Sequence, residues 1–177
     1  MDLRRRTATL ALAIGITLVG CASPATGPTP TPSFADADAA YAAAEATYRA
    51  YVDALNAVDL SDPTTFEDVF QWTTGDVNAA DRETLSAYHA EGLTVSGDSV
   101  VQSITPLAAR DGFSEVDLAV CLDVSHIAIT DPNGVSRVDP DRVDVQSLNA
   151  ELSVGNSPTG FLVELIKASK DPGACTP

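Results

Sequence analysis

A strict alternation of side chains over residues 115–125 constrains the fold more than any other feature of the chain. The apolar members are two apart and would share one face: Val116, Leu118, Val120, Leu122 and Val124. The residues between them would share the opposite, mostly polar face: Asp117, Ala119, Cys121 and Asp123. Because side chains alternate across an extended chain, this pattern predicts an antiparallel strand with one face on the core.

Two more strands are predicted downstream of this one. Asp131-Pro132-Asn133-Gly134 predicts a turn, and residues 142–154 predict a strand. The apolar parity of that strand shifts after Val145, which predicts a β-bulge near Ser147. Residues 155–160 are expected to form a hairpin loop, and residues 161–168 the last strand.

The first part of the domain is predicted to be helical. Ser33-Phe34-Ala35-Asp36 resembles a capping box. Apolar residues then recur at spacings of three and four, which predicts one buried helix face: Tyr41, Ala44, Tyr48, Tyr51, Leu55 and Val58. Asp62-Pro63 predicts the start of a short helix. A third helix is expected over residues 77–91, ending at Gly92.

Helices followed by an antiparallel meander indicate an α+β fold. A single domain must bring the apolar helix face and the apolar strand face together. We therefore expect contact between one aromatic set and one aliphatic set, which would also line any pocket left between them: Tyr41, Tyr48, Phe66 and Phe70 with Val116, Leu118, Val120 and Leu122. A cavity with such walls would take an apolar ligand, whereas close packing would leave the acidic outer surface for binding.

The amino-terminal segment resembles a bacterial lipoprotein signal. Arg4, Arg5 and Arg6 precede a short apolar run over residues 9–19, and Leu18-Val19-Gly20-Cys21 resembles a lipobox. The alternative is an ordinary secretory signal with a chance cysteine. The resemblance implies lipidation at Cys21 and a location on the outer face of the bacterial cytoplasmic membrane, held by the lipid.

Composition divides the chain into three parts. Residues 1–20 are the expected signal peptide, and residues 21–32 are a lipidated Pro/Thr-rich linker that should act as an extended tether. Residues 33–177, about 145 in number, have the size of one domain.

The mature chain is expected to be strongly acidic. The full sequence has 10 basic and 25 acidic residues, and removal of residues 1–20 leaves 7 and 24, a net charge of −17. This balance argues against a nucleic-acid partner. Anionic headgroups would also repel the domain, so the lipid rather than the protein surface should hold it at the membrane.

Two cysteines remain after Cys21 is assigned to lipid. In an oxidising compartment Cys121 and Cys175 are expected to form a disulfide, with Cα atoms within about 7 Å of each other. Two buried free thiols are the alternative. A metal site is not expected, because His89 and His126 have no ligand-like spacing relative to the cysteines.

Short motifs carry a resemblance to a known family. They are Val120-Cys121-Leu122-Asp123-Val124-Ser125, Asp131-Pro132-Asn133-Gly134, Gly160-Phe161-Leu162-Val163 and the terminal Cys175. Over about residues 34–176 the chain resembles actinobacterial lipoproteins with a nuclear transport factor two-like domain. The resemblance implies a cone in which helices close a curved antiparallel sheet around a pocket. It implies no single activity.

Two functions follow as hypotheses. The first is a non-catalytic domain that binds a protein, a cell-wall component or a small apolar ligand. The alternative is a small acid–base isomerase or dehydratase, for which His89 and His126 are candidates by chemistry alone. No cofactor and no catalytic residue is assigned. A wholly apolar interior would favour binding, and a buried carboxylate or histidine facing a tyrosine across a cavity would favour an enzyme.

Overall fold

The structure is a computed structural model that describes residues 33–171 and residue 175. The expected signal peptide, the linker and Cys21 lie outside the described residues. Within residues 33–171, no helix is both long enough and apolar enough to cross a membrane.

Three α-helices come first in the described chain. They are α1 (Ala37–Asn56), α2 (Phe66–Phe70) and α3 (Gly75–Ala90), and a short 3-10 helix (Pro63–Thr65) precedes α2. Asp62 starts this second helical region as expected, because its carboxylate accepts a hydrogen bond from the Thr64 amide at 3.0 Å. Helix α3 ends just before Gly92, which has the positive φ of 67° that favours glycine after a helix.

The predicted capping box at Ser33 does not start α1. The cap is Asp36, whose Oδ1 accepts a hydrogen bond from the Ala39 amide at 2.9 Å. Both residues are helix-capping types, but only Asp36 immediately precedes the helical turn that holds the free amides.

Antiparallel strands form the second half. The strands are β1 (Thr94–Ser96), β2 (Val100–Arg110), β3 (Glu115–Asp123), β4 (Ala128–Thr130), β5 (Val145–Val154) and β6 (Phe161–Ala168). Four of them form one sheet in the order β2-β3-β5-β6, and β1 pairs with β4 in a second sheet. The α+β class is confirmed, with the helices packed against antiparallel sheets.

Strand β2 was not predicted, because two bulges break its period. Its pairing with β3 shifts between Val101 and Ser103 and again between Pro106 and Ala108. The residues paired with the inward side chains of β3 are therefore spaced three, two and three apart: Val101, Ile104, Pro106 and Ala109. A proline and bulges are typical of an edge strand, and they hide the alternation from a period-two search. The short strands β1 and β4 were missed as well.

The bulge predicted near Ser147 is absent. Pairing of β5 with β3 runs without a shift from Val145 to Ser153. The apparent change of parity arises because Val143 precedes the strand and is 63% exposed, while Val145 pairs with Asp123 on the outer face. A shift does occur in the β5–β6 pairing, between Glu151 and Leu152.

The predicted strand face and helix face share one core. Val116 and Leu118 are fully buried, and Val120 and Tyr48 are 1% exposed. Phe66 joins the same buried cluster. Three further residues of the expected contact are half-buried and pack against it: Tyr41, Phe70 and Leu122.

A disulfide joins Cys121, near the end of β3, to Cys175, with the two Cα atoms 5.4 Å apart. The expected pairing is therefore present. Its position on the outer face of β3 follows from the alternation, because Cys121 is paired across the sheet with Ser103 and Ser147.

Candidate functional site

A cavity of about 300 Å³ lies between the helices and one end of the sheets. The end of α1 and the loop after it contribute Leu55, Val58 and Leu60, and α3 contributes Leu85 and Tyr88. Strand β1 contributes Val95, the loop after β3 contributes Val124 and Ile127, and β4 contributes Ile129. Polar or charged side chains make up the rest of the lining beside the glycine and the alanine: Asn56, Asp81, Thr84, Ser99, Arg142 and Gln146. A cavity with more apolar than polar lining and a few polar groups is typical of small-molecule sites.

None of the eight residues expected to line a pocket borders this cavity. Tyr48, Phe66, Val116, Leu118 and Val120 are buried in the core cluster instead. The aromatic face of the helices and the aliphatic face of β3 belong to one packed core cluster. The cavity therefore lies beyond this cluster, at the end of α1.

Asp81 is the acidic group of the cavity wall, and Tyr51 holds it in place. The Tyr51 hydroxyl on α1 donates a hydrogen bond to Asp81 Oδ1 on α3 at 3.2 Å. Asp81 Oδ2 is buried and has no hydrogen-bond partner among the described residues. Burial raises the pKa of Asp81 to about 6, against a smaller lowering by the Tyr51 hydrogen bond. Burial, with the nearby Asp81 charge, also raises the pKa of Tyr51.

Arg142 is the basic group of the wall. One of its terminal nitrogens, Nη2, donates to the carbonyl oxygens of Val124 at 2.8 Å and of Ile127 at 3.0 Å. Both of these residues also line the cavity. These two carbonyl contacts hold the half-buried, cationic guanidinium against the wall.

The two histidines do not line this cavity. His89 lies beside a second, wider cavity of about 590 Å³, where its Nδ1 is 2.7 Å from the Leu60 carbonyl oxygen. Its ring also meets Phe66 edge to face. His126 is exposed. Among residues 33–171 and 175, no group of three or more His, Cys, Asp or Glu side chains is placed to hold a metal ion.

Sequence reasoning missed both charged residues of the wall. A signal for Asp81 is visible, because the series Val77, Asp81, Leu85 and Tyr88 has the helical spacings four, four and three, and Asp81 is its one charged member. A carboxylate on a buried helix face needs a partner, and Tyr51 is that partner. Arg142 follows an Asp-Pro-Asp turn, and nothing local distinguishes it from a surface arginine.

Comparisons with known proteins give no family. No family model matches the chain, and no curated protein sequence matches it. Among solved structures, the intermembrane space region of the chloroplast protein ARC6 is similar, at 13% identity and a TM-score of 0.48, over 78% of this chain and 100% of that one. A TrwG component of a type IV secretion system from Bartonella birtlesii is similar at 14% identity and a TM-score of 0.40, over 72% of this chain and 90% of that one. Similarity at this level extends no activity from those proteins to this chain.

Proposed function

We propose that this protein is a lipid-anchored extracytoplasmic domain that binds a small, largely apolar ligand and does not transform it. The observation that carries the proposal is the cavity of about 300 Å³, which is at the small end of the range for ligand sites. Its place between helices and sheet agrees with a nuclear transport factor two-like cone, which we propose as the finer fold assignment.

The geometry of the Asp81 carboxylate favours binding over catalysis. One Asp81 oxygen accepts the Tyr51 hydroxyl, and the other is buried. A general base must reach the proton that it removes. Tyr51 and Asp81 are side by side in one hydrogen bond between α1 and α3, rather than facing each other across an open space.

Titration with n-octanol tests the binding proposal. We expect saturable shifts in the amide NMR spectrum, concentrated at Thr84, Leu85, Val124 and Ile127, which line the cavity. Ala80→Phe should abolish them, because Ala80 is part of the wall and a larger side chain there would fill the space. Ala79→Phe is the matched control, since Ala79 is the neighbour on the same helix, is exposed as Ala80 is, and does not line the cavity. Equal shifts in both variants, or no saturable binding to the unaltered domain, would contradict the proposal.

The anchor is tested separately at Cys21. We propose that Cys21 carries the lipid and becomes the mature amino terminus, because the segment before it resembles a lipoprotein signal throughout. Cys21→Ser should move the protein from the membrane fraction to the medium, or block its processing. The same membrane retention in the variant as in the unaltered protein would overturn this part.

A small acid–base enzyme is the second candidate, and the raised pKa of Asp81 favours it. A carboxyl whose pKa is about 6 at a cavity wall has the property that a general base needs near neutral pH. Octan-2-one in D₂O is a direct probe, since a base at Asp81 would exchange its α-hydrogens. Exchange above the buffer rate that disappears in Asp81→Asn would establish this function, and exchange at the buffer rate with saturable octanol binding would support the first.

A further inference from the structure

We propose that the ligand of the 300 Å³ cavity carries a carboxylate, and that Arg142 binds it. This inference rests on the proposed ligand-binding function and adds the chemical class of the ligand. It concerns Arg142, which sequence reasoning did not single out.

Arg142 differs from the other arginines of the described chain in its partners. Each of the others forms an ion pair with a carboxylate: Arg49 with Glu45, Arg82 with Glu67, Arg110 with Glu115 and Asp117, and Arg137 with Glu91. No described carboxylate is within ion-pair distance of Arg142. The sequence contains 25 acidic residues, so this absence marks an unusual site for a cation.

The hydrogen bonds of Arg142 to the described chain use one of its three guanidinium nitrogens. Both contacts to the chain use Nη2, which donates to the Val124 and Ile127 carbonyl oxygens. No residue of the described chain accepts a hydrogen bond from Nε or Nη1. A guanidinium has five N–H donors in a planar fork, and a carboxylate accepts two of them side by side. The two carbonyl contacts hold the group in place before a ligand arrives, which reduces the entropy lost on binding.

The carboxylate of Asp81 does not offer the same opportunity to a cationic ligand. Asp81 Oδ1 already accepts the Tyr51 hydroxyl, and its Oδ2 is buried. An ammonium group would have to displace that arrangement to reach the carboxylate. A carboxylate on the ligand needs no such change at Arg142, so the cavity favours an anion over an amine.

The volume of the cavity sets the size of the probe. At about 30 Å³ for each water-sized unit, 300 Å³ corresponds to roughly ten such units. n-Octanoate has ten non-hydrogen atoms. n-Octanol and n-octylamine have the same tail with a neutral and a cationic head, so the three compounds separate recognition of the tail from recognition of the charge.

Affinities of the three compounds at pH 7.5 test the inference. For the unaltered domain we expect octanoate to bind at least about tenfold more tightly than octanol, since a hydrogen-bonded ion pair adds this much or more. Octylamine should bind most weakly. Arg142→Gln should remove the preference for octanoate and keep the affinity for octanol, which shows that the cavity is still formed. Arg137→Gln is the matched control, because Arg137 is exposed and paired with Glu91, and it should change nothing.

The outcomes separate this inference from the proposed function. Equal affinity for octanoate and octanol, or a preference for octylamine, would overturn the inference that the ligand carries a carboxylate. The proposed ligand binding would still stand. No binding of any of the three would overturn both. If Arg142→Gln does not fold, Arg142→Lys decides, because lysine keeps the charge without the planar fork. It should reduce the octanoate preference at least about threefold, and an unchanged preference would overturn the role of Arg142.

Discussion

The hydrogen bond between Tyr51 and Asp81 joins two helices through a group that is costly to bury. The free energy of a buried, ionised carboxylate is unfavourable unless hydrogen bonds replace its water. Here one oxygen has the Tyr51 hydroxyl at 3.2 Å, and the other has no described partner. The result is a carboxyl whose pKa is raised by burial to about 6, from an ordinary value of 3.8.

Stability should therefore fall as Asp81 ionises. Between pH 4 and pH 6 the folded state holds the Asp81 proton while the unfolded state releases it, so the free energy of unfolding decreases with rising pH. Asp81→Asn should be insensitive to this change. We expect the unaltered domain to lose about 1–2 kcal/mol relative to Asp81→Asn between pH 4 and pH 7, after allowance for the partial exposure of the group.

Urea unfolding of both proteins at four pH values in this range measures the difference. Tyr51→Phe is a useful companion, because loss of the hydroxyl removes the hydrogen bond that lowers the pKa of Asp81. Its stability loss should be larger at pH 7 than at pH 4. Parallel pH profiles for the unaltered domain and Asp81→Asn would show that Asp81 ionises normally in the folded state.

Helix α1 contributes the main aromatic face of the core. Ala40, Ala44, Tyr48, Tyr51 and Val52 are buried along one side of it. Opposite them, the inward residues of β3 are paired with the inward residues of β2 and β5. The small alanine side chains allow the helix backbone to lie close to the sheet, and the tyrosine rings fill the space between helix and sheet beside them.

Removal of a buried tyrosine should be costly at this contact. Tyr48 is 1% exposed, and its truncation to Ala would remove the ring and leave a cavity. We expect Tyr48→Ala to lower the free energy of unfolding by about 3–5 kcal/mol, in the range for large aromatic residues. Tyr41→Ala is the control on the same helix and should cost clearly less, because Tyr41 is only half-buried. Chemical unfolding measures both, and a loss for Tyr48→Ala below about 0.5 kcal/mol would place this face outside the core.

Across the whole molecule, the disulfide joins Cys175 to β3, an inner strand of the four-stranded sheet. Cys121 and Cys175 are separated by 54 residues, and β5 and β6 lie within the loop that they close. A bond that closes a loop restricts the unfolded chain, which stabilises the folded state relative to it.

Replacing both cysteines with alanine should therefore destabilise the domain. We expect a loss of about 2–4 kcal/mol in urea unfolding at pH 7, close to the usual value for loops of this length. The unaltered domain under reducing conditions should approach the same stability. A loss below about 1 kcal/mol, or no effect of reductant, would show that the disulfide contributes little to the stability of the domain.

The patterns that succeeded were local and periodic. The alternation over residues 115–125 identified β3 and its buried face, and the spacing of Tyr48 and Tyr51 identified the buried face of α1. Helix α3 was found with its end near Gly92. The cysteine count, with the compartment inferred from the signal, identified the disulfide. The two strand and helix faces and the end of α3 depend on residues that are close together in the chain. The disulfide depends on a pairing with few alternatives, because only two cysteines remain once Cys21 is assigned to lipid.

The tertiary structure alone decided the cavity and the edge of the sheet. Two bulges shift the register of β2 so that its inward residues pair with the inward residues of β3. Where a bulge forms depends on the partner strand. The cavity takes residues from α1, α3, β1 and the segments before β4 and β5. Asp81 and Arg142 are 61 positions apart in the sequence and share one wall. Sequence periodicity determines which face of an element is apolar, whereas the space left between elements depends on how their side chains pack.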